Sequence, residues 1–368
     1  MGNKRPYIPP TFSKILQMKY FSIPFIYIFF ICTACWQCKT SNVSGALELS
    51  KNNQILLIDS TKAAEMIITD DTDNIFEKMT DADMCIQMKK NYPAETFHSQ
   101  IKSDYNAFLQ KDVGNFTPDE AVFVKNTMED VFYWCSKISK DIFPAKINII
   151  KTKGKHYGDG VYYTRENCII VPADVLKNKE KDAFFSTMIH EVFHVYSRFH
   201  AEKREKLYNL VGFQRLEGNL IVGEPLKSRI LLNPDGVNFH YFINLQIAPD
   251  KEIKAVPIIH SNEPTYKKTK TSFFKYLKFD LFEIKTVKIN ISEIVTKKDG
   301  SSTLNIKDLP DFWRQIRENT QYIIHPDEIL ADNFMFLVKE QKDKSVSENF
   351  TPEGKKLLEE IKNIIIQK

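Results

Sequence analysis

The apolar residues Val124, Met128, Val131, Cys135, Ile138 and Ile142 recur at steps of four and three. That period places them on one stripe of an α-helix with a single buried face. The helix start is written just upstream. Thr117-Pro118-Asp119-Glu120 supplies an N-cap, a proline for the first helical position and a Glu able to close a capping box. After Pro144 the pattern changes. Residues 146–150 read as a strand, and 160–164 with 168–171 read as a hairpin across Arg165-Glu166-Asn167. From 177 to 200 there is neither Pro nor Gly, which predicts an uninterrupted helix of about six turns. Residues 66–113 read as helical in pieces. The stretch from about 213 to 310 is largely β, with strands expected at 238–245 and 286–295. A short helix at 311–320, one opening at Pro326 and a last one opening at Thr351-Pro352-Glu353 complete the pattern. Strands and helices in separate runs predict an α+β domain.

The middle of the 177–200 helix is apolar on most sides, through Phe184, Phe185, Met188, Ile189, Val192, Phe193 and Val195. Into it are set His190-Glu191-Val192-Phe193-His194. Two imidazoles four positions apart lie one turn from each other on one helix face, spaced to converge on one Zn²⁺. Ionisable groups in an apolar helix are costly unless something satisfies them, and a metal does. Glu191, beside the first ligand, is placed to take a proton from the attacking water, as in a metal-assisted hydrolase.

Such a centre needs a third protein ligand, and two residues qualify. His200 stands at the ten-residue spacing of the metzincin pattern, but Ser197 occupies the position where that pattern has a turning glycine. Glu328 lies in His325-Pro326-Asp327-Glu328-Ile329-Leu330-Ala331-Asp332, where Pro326 suits a helix start and Glu328 shares a face with Asp332. An H-E-x-x-H helix followed by a second helix carrying E-x-x-A-D resembles the gluzincin zinc peptidases, including their CAAX-prenyl-protease-like branch. The resemblance covers roughly residues 182–200 and 326–336. It implies a zincin-like fold with an active-site helix, a small mixed sheet and a largely β insertion at about 213–310. It also implies that His190, His194 and Glu328 bind zinc, that Glu191 is the general base and that Asp332 holds a ligand imidazole from behind. Zincins bind an extended peptide along an edge strand, for which Tyr157-Gly158-Asp159-Gly160-Val161 is the candidate rim, an ordinary glycine turn being the alternative. Gluzincins commonly stabilise the oxyanion with a Tyr or His from the downstream half. Tyr322, His325, His260 and Tyr266 qualify by type, with Tyr322 and His325 nearest the ligand helix.

The amino-terminal 38 residues are expected to lie outside the fold. Residues 20–34 are an apolar run preceded by Lys14 and Lys19, the length and flank of a signal peptide, with Met18 a suitable start. The run ends at Cys32-Thr33-Ala34-Cys35, which resembles a bacterial lipoprotein signal with Cys35 as the lipidated residue. An uncleaved single-pass anchor is the alternative. Either places residues 51–368, joined by a tether at 39–50, in the cell envelope outside the cytoplasm. Beyond this region Cys85, Cys135 and Cys168 have no metal-type spacing and are expected to be unpaired, buried thiols. A net charge of +4 with scattered lysines gives no reason to expect nucleic acid as a partner. The expected activity is zinc-dependent hydrolysis of peptide bonds. Two alternatives stand: a metzincin-like peptidase using His200, and a non-catalytic lipoprotein binding module with a structural or vestigial zinc site.

Overall fold

The runs Ile147-Asn148-Ile149-Ile150 and Cys168-Ile169-Ile170-Val171 are apolar on both sides of the pleat because both sides are covered. In the computed structural model, which describes residues 45–236 and 239–367, Lys146–Thr152 and Cys168–Pro172 are central strands of a six-stranded sheet. Alternate side chains point to opposite faces. Ile147, Ile149, Ile169 and Val171 join a core with the helices Pro118–Ser136 and Lys181–Phe199. Ile150, Cys168 and Ile170 join a second core with Tyr105, Val256 and Phe282. Each fully buried side chain of this kind contributes about 1.5–3 kcal/mol.

Gly45–Ser50 pairs antiparallel with Asn53–Leu57, which runs parallel to Lys146–Thr152, itself parallel to Cys168–Pro172. Tyr163–Arg165 pairs antiparallel with Cys168–Pro172 and is the sheet edge next to the helix Lys181–Phe199. Val113–Gly114 adds a short antiparallel pairing at the far end of Lys146–Thr152. A second six-stranded sheet is built entirely from residues 213–294, within the expected β stretch. Its pairs are antiparallel except that Ile291–Ile294 runs parallel to Asn219–Ile221. The architecture is α+β with two mixed sheets.

Three elements depart from expectation. Residues 45–50 are a strand rather than tether, because Leu47 and Leu49 alternate onto the first core. The stretch 177–200 is not one helix. Ala173–Asn178 ends at Lys179, which adopts a left-handed φ of 52°, and the next helix begins at Lys181. Residues 286–295 are split by a turn at Asn290 (φ 57°) between Leu277–Lys288 and Ile291–Ile294. Cys85, Cys135 and Cys168 are free and buried. The apolar run at 20–34, Met18 and Cys35 lie outside the described residues. Among the described residues no helix is long and apolar enough to cross a membrane.

One buried carboxyl ties the second sheet's approach segment to the rest. Asp83, on the helix Asp81–Met88, accepts the Leu232 amide at 3.0 Å and the Gln87 side-chain amide at 2.8 Å. Burial pushes its pKa up to about 6 against the pull of those bonds. A carboxyl raised on folding contributes stability that is complete below its ordinary value of 3.8 and is lost as pH rises through 6. Asp83→Asn should therefore gain on the wild type by up to about 1.4 kcal/mol per pH unit between roughly pH 4 and 6. Urea denaturation across that range measures the difference, and a constant offset between the two proteins would contradict it.

Candidate metal centre

The helix Lys181–Phe199 is buried all round from Met188 to Arg198, so His190, Glu191 and His194 are enclosed rather than facing solvent. The second helix, Pro326–Lys342, starts where its sequence expects. Pro326 occupies the first turn, and the His325 Nδ1 accepts the Asp327 amide at 3.1 Å. The two helices pack together and bring Glu328 onto the imidazoles. Glu328 Oε2 lies 3.1 Å from His190 Nε2 and 3.3 Å from His194 Nε2, and the imidazole ring centres are 4.6 Å apart. All four side chains, Glu191 included, are buried.

Each imidazole is held from behind by its own carboxylate. Asp332 Oδ1 accepts from His190 Nδ1 at 2.9 Å, and Asp327 Oδ2 accepts from His194 Nδ1 at 2.6 Å. An ionised carboxylate can only accept, so each Nδ1 carries a proton, and Nε2 of both imidazoles is the atom turned toward Glu328 that an ion would bind. Asp332 also accepts from the Thr320 hydroxyl, and Asp327 from Ser197 and Tyr208 at 2.5 and 2.8 Å. Every carboxylate oxygen behind the imidazoles is thereby held in place.

The donor set fits a metal ion. His190, His194 and Glu328 offer three ligand atoms that all lie within 4.8 Å of one another. Two ligands on a tetrahedral zinc with bonds of about 2.0–2.1 Å stand roughly 3.3 Å apart, close to the two contacts Glu328 makes. His194 Nε2 and Glu191 Oε2 are buried with no hydrogen-bond partner of good geometry. The electrostatics call for positive charge. Burial disfavours an imidazolium at His190, yet the Asp332 and Glu328 carboxylates outweigh it and hold the group up at about 10. Burial likewise works against an ionised Glu328, but the two imidazoles push it well below the usual carboxylate range. Burial, with the nearby Asp235 carboxylate, pushes Glu191 up to about 8.

The remaining expected residues divide. His200 leaves the helix (φ −123°, ψ 62°) without any glycine, but its ring stacks on Tyr196 at 4.2 Å and its Nδ1 donates to the Tyr196 carbonyl at 2.8 Å. It is not among the converging ligand atoms. Tyr322 stacks on His190 with ring centres 5.9 Å apart and is partly exposed, so it borders the centre. His325 does not: it caps the second helix and is wedged against Tyr208 and Tyr241. It lines a small polar cavity with Arg198, Arg204 and Asp327. His260 binds Asp280 in the second sheet at 2.9 Å. Tyr157 is buried against Tyr163 and Phe273 and forms core rather than rim.

Sequence reasoning missed the turn Asn233–Gly236, which reaches the centre from the second sheet's side. Asn233 Nδ2 donates to Glu328 Oε1 at 2.7 Å. Asp235 Oδ1 accepts from the Thr164 amide at 2.6 Å and its hydroxyl at 2.5 Å. Thr164 is the middle residue of the edge strand Tyr163–Arg165, and its main-chain N–H is taken by Asp235. Asp327 was also missed, although its place next to Glu328 in the first helical turn was a usable signal. Compared with known proteins, the chain matches no family model, no curated protein and no solved structure.

Proposed function

We propose that this chain is a zinc-dependent peptidase of the gluzincin kind, built on a zincin-like α+β domain. The observation that carries the reading is the convergence of His190, His194 and Glu328 with a buried, unpartnered Glu191 carboxylate oxygen beside them. His190, His194 and Glu328 would hold the ion. Zinc there would supply Lewis acidity toward a carbonyl and activate water near neutral pH. Glu191 takes the proton of the attacking water and passes it to the leaving amine. Asp332 and Asp327, bonded to the two Nδ1 atoms, would aim the Nε2 atoms at the ion. Tyr322, whose ring stacks on His190 and is partly exposed, is the residue that would donate to the developing oxyanion. A purely structural ion would have no use for an acid–base group beside its ligands, which favours the enzyme over a binding module. The position of His200 on Tyr196 favours Glu328 over the metzincin-like ligand set. The sequence of residues 18–35 supports a lipid anchor at Cys35 and action in the bacterial envelope; a single-pass anchor is the variant of this proposal.

The full chain loaded with zinc should cleave internally quenched peptides. A zinc chelator should abolish the cleavage and added zinc should restore it. Cleavage that survives complete removal of metal would contradict the proposal.

A further inference from the structure

A carboxylate can hold a metal through one oxygen or two, and the choice decides how many positions the ion keeps for substrate. In this centre the two oxygens of Glu328 have different partners. Oε2 faces both imidazole Nε2 atoms, at 3.1 and 3.3 Å. Oε1 accepts the side-chain amide of Asn233 at 2.7 Å. Asn233 comes from neither ligand helix but from the turn Asn233–Gly236, 95 residues before Glu328. It is itself buried, and the turn holds it there. Its Oδ1 accepts the Asp235 amide at 3.3 Å, its carbonyl accepts the Gly236 amide at 3.2 Å, and the preceding Leu232 amide is pinned on Asp83. Asp235 then fastens the turn to the edge strand through Thr164.

We propose that Asn233 is a positioning residue that makes Glu328 a one-oxygen ligand, and so keeps the centre at three protein ligands with a position left for water or substrate. This rests on the metal-binding reading above. The amide N–H occupies the lone pair of Oε1 that would otherwise swing onto the ion, and it fixes the carboxylate plane so that Oε2 alone meets the imidazoles. Two nitrogens and one oxygen suit zinc; a two-oxygen Glu328 would raise the coordination number and favour ions that accept more oxygen ligands.

The test uses Co²⁺ in place of zinc, because its visible absorption is strong in four-coordinate sites and weak at higher coordination number. The full-length wild type should take up one Co²⁺ with an intense band. Asn233→Ala should still bind Co²⁺ but with a band weakened severalfold, and its zinc affinity should fall by about 10–100-fold, as expected when a residue supporting a ligand is lost. Asn233→Asp keeps the shape of the turn and the acceptor for the Asp235 amide while removing the donor to Glu328. Its Co²⁺ band should be weakened as in the Ala variant, with an unchanged circular dichroism spectrum; the band is the readout for this variant, because its new carboxylate adds negative charge beside the ion. If the Ala protein does not fold, the Asp protein decides alone. A folded Asn233→Asp protein with the wild-type band, or a folded Asn233→Ala protein with the wild-type band and zinc affinity, would overturn the proposal. A wild type that binds neither ion would instead overturn the metal-binding reading beneath it.

Discussion

Glu191→Gln should leave zinc bound and the fold intact while lowering peptide hydrolysis by roughly 10²–10⁴-fold, the range for loss of a general base. Glu191 is 4% exposed, and one of its carboxylate oxygens has no partner, so the substitution breaks no bond at that atom. Gln has nearly the same shape and fills the same space, so the variant should melt close to the wild type. Zinc content, thermal melting and turnover measured on one preparation separate the outcomes. Full retained turnover would remove Glu191 from the chemistry, and parallel loss of zinc and activity would make it a structural support instead.

Glu328→Ala should cost more metal than any other substitution outside the two imidazoles. It deletes the oxygen that faces both Nε2 atoms, and a site with two imidazoles alone is a poor zinc cage. Asp327→Ala and Asp332→Ala leave the ligand set complete but free one imidazole each to rotate and change tautomer. Each should weaken zinc binding by about 10–100-fold. His200→Ala should leave it unchanged, because that ring is stacked on Tyr196. Titration of the purified proteins against a chromophoric chelator gives the order directly. An emptied site in His200→Ala with normal binding in Glu328→Ala would replace Glu328 by His200.

What was readable in the chain was whatever depends on residues one helical turn apart. His190 with His194, and Glu328 with Asp332, share helix faces by spacing alone, and Pro326 marks where the second helix begins. The capping box at Thr117 and the stripe from Val124 to Cys135 appear as expected for the same reason. The misses need tertiary context. A left-handed lysine at 179 has no local signature, since the helix ends there without the glycine that usually takes this conformation. Asn290 did carry a turn signal, but the β-branched residues around it read as a continuous strand. Asn233 and Asp235 were invisible. Their roles exist only because a turn from the far sheet closes onto Glu328 and Thr164.

The central claim is that one metal ion is held by His190, His194 and Glu328. X-ray diffraction from crystals of the zinc-loaded protein, recorded on both sides of the zinc absorption edge, tests it most directly. One anomalous peak should lie about 2.0–2.2 Å from His190 Nε2, His194 Nε2 and Glu328 Oε2, with Glu328 Oε1 still on Asn233. A peak coordinated by His200, or no peak between the two helices in a protein that carries zinc, would contradict it.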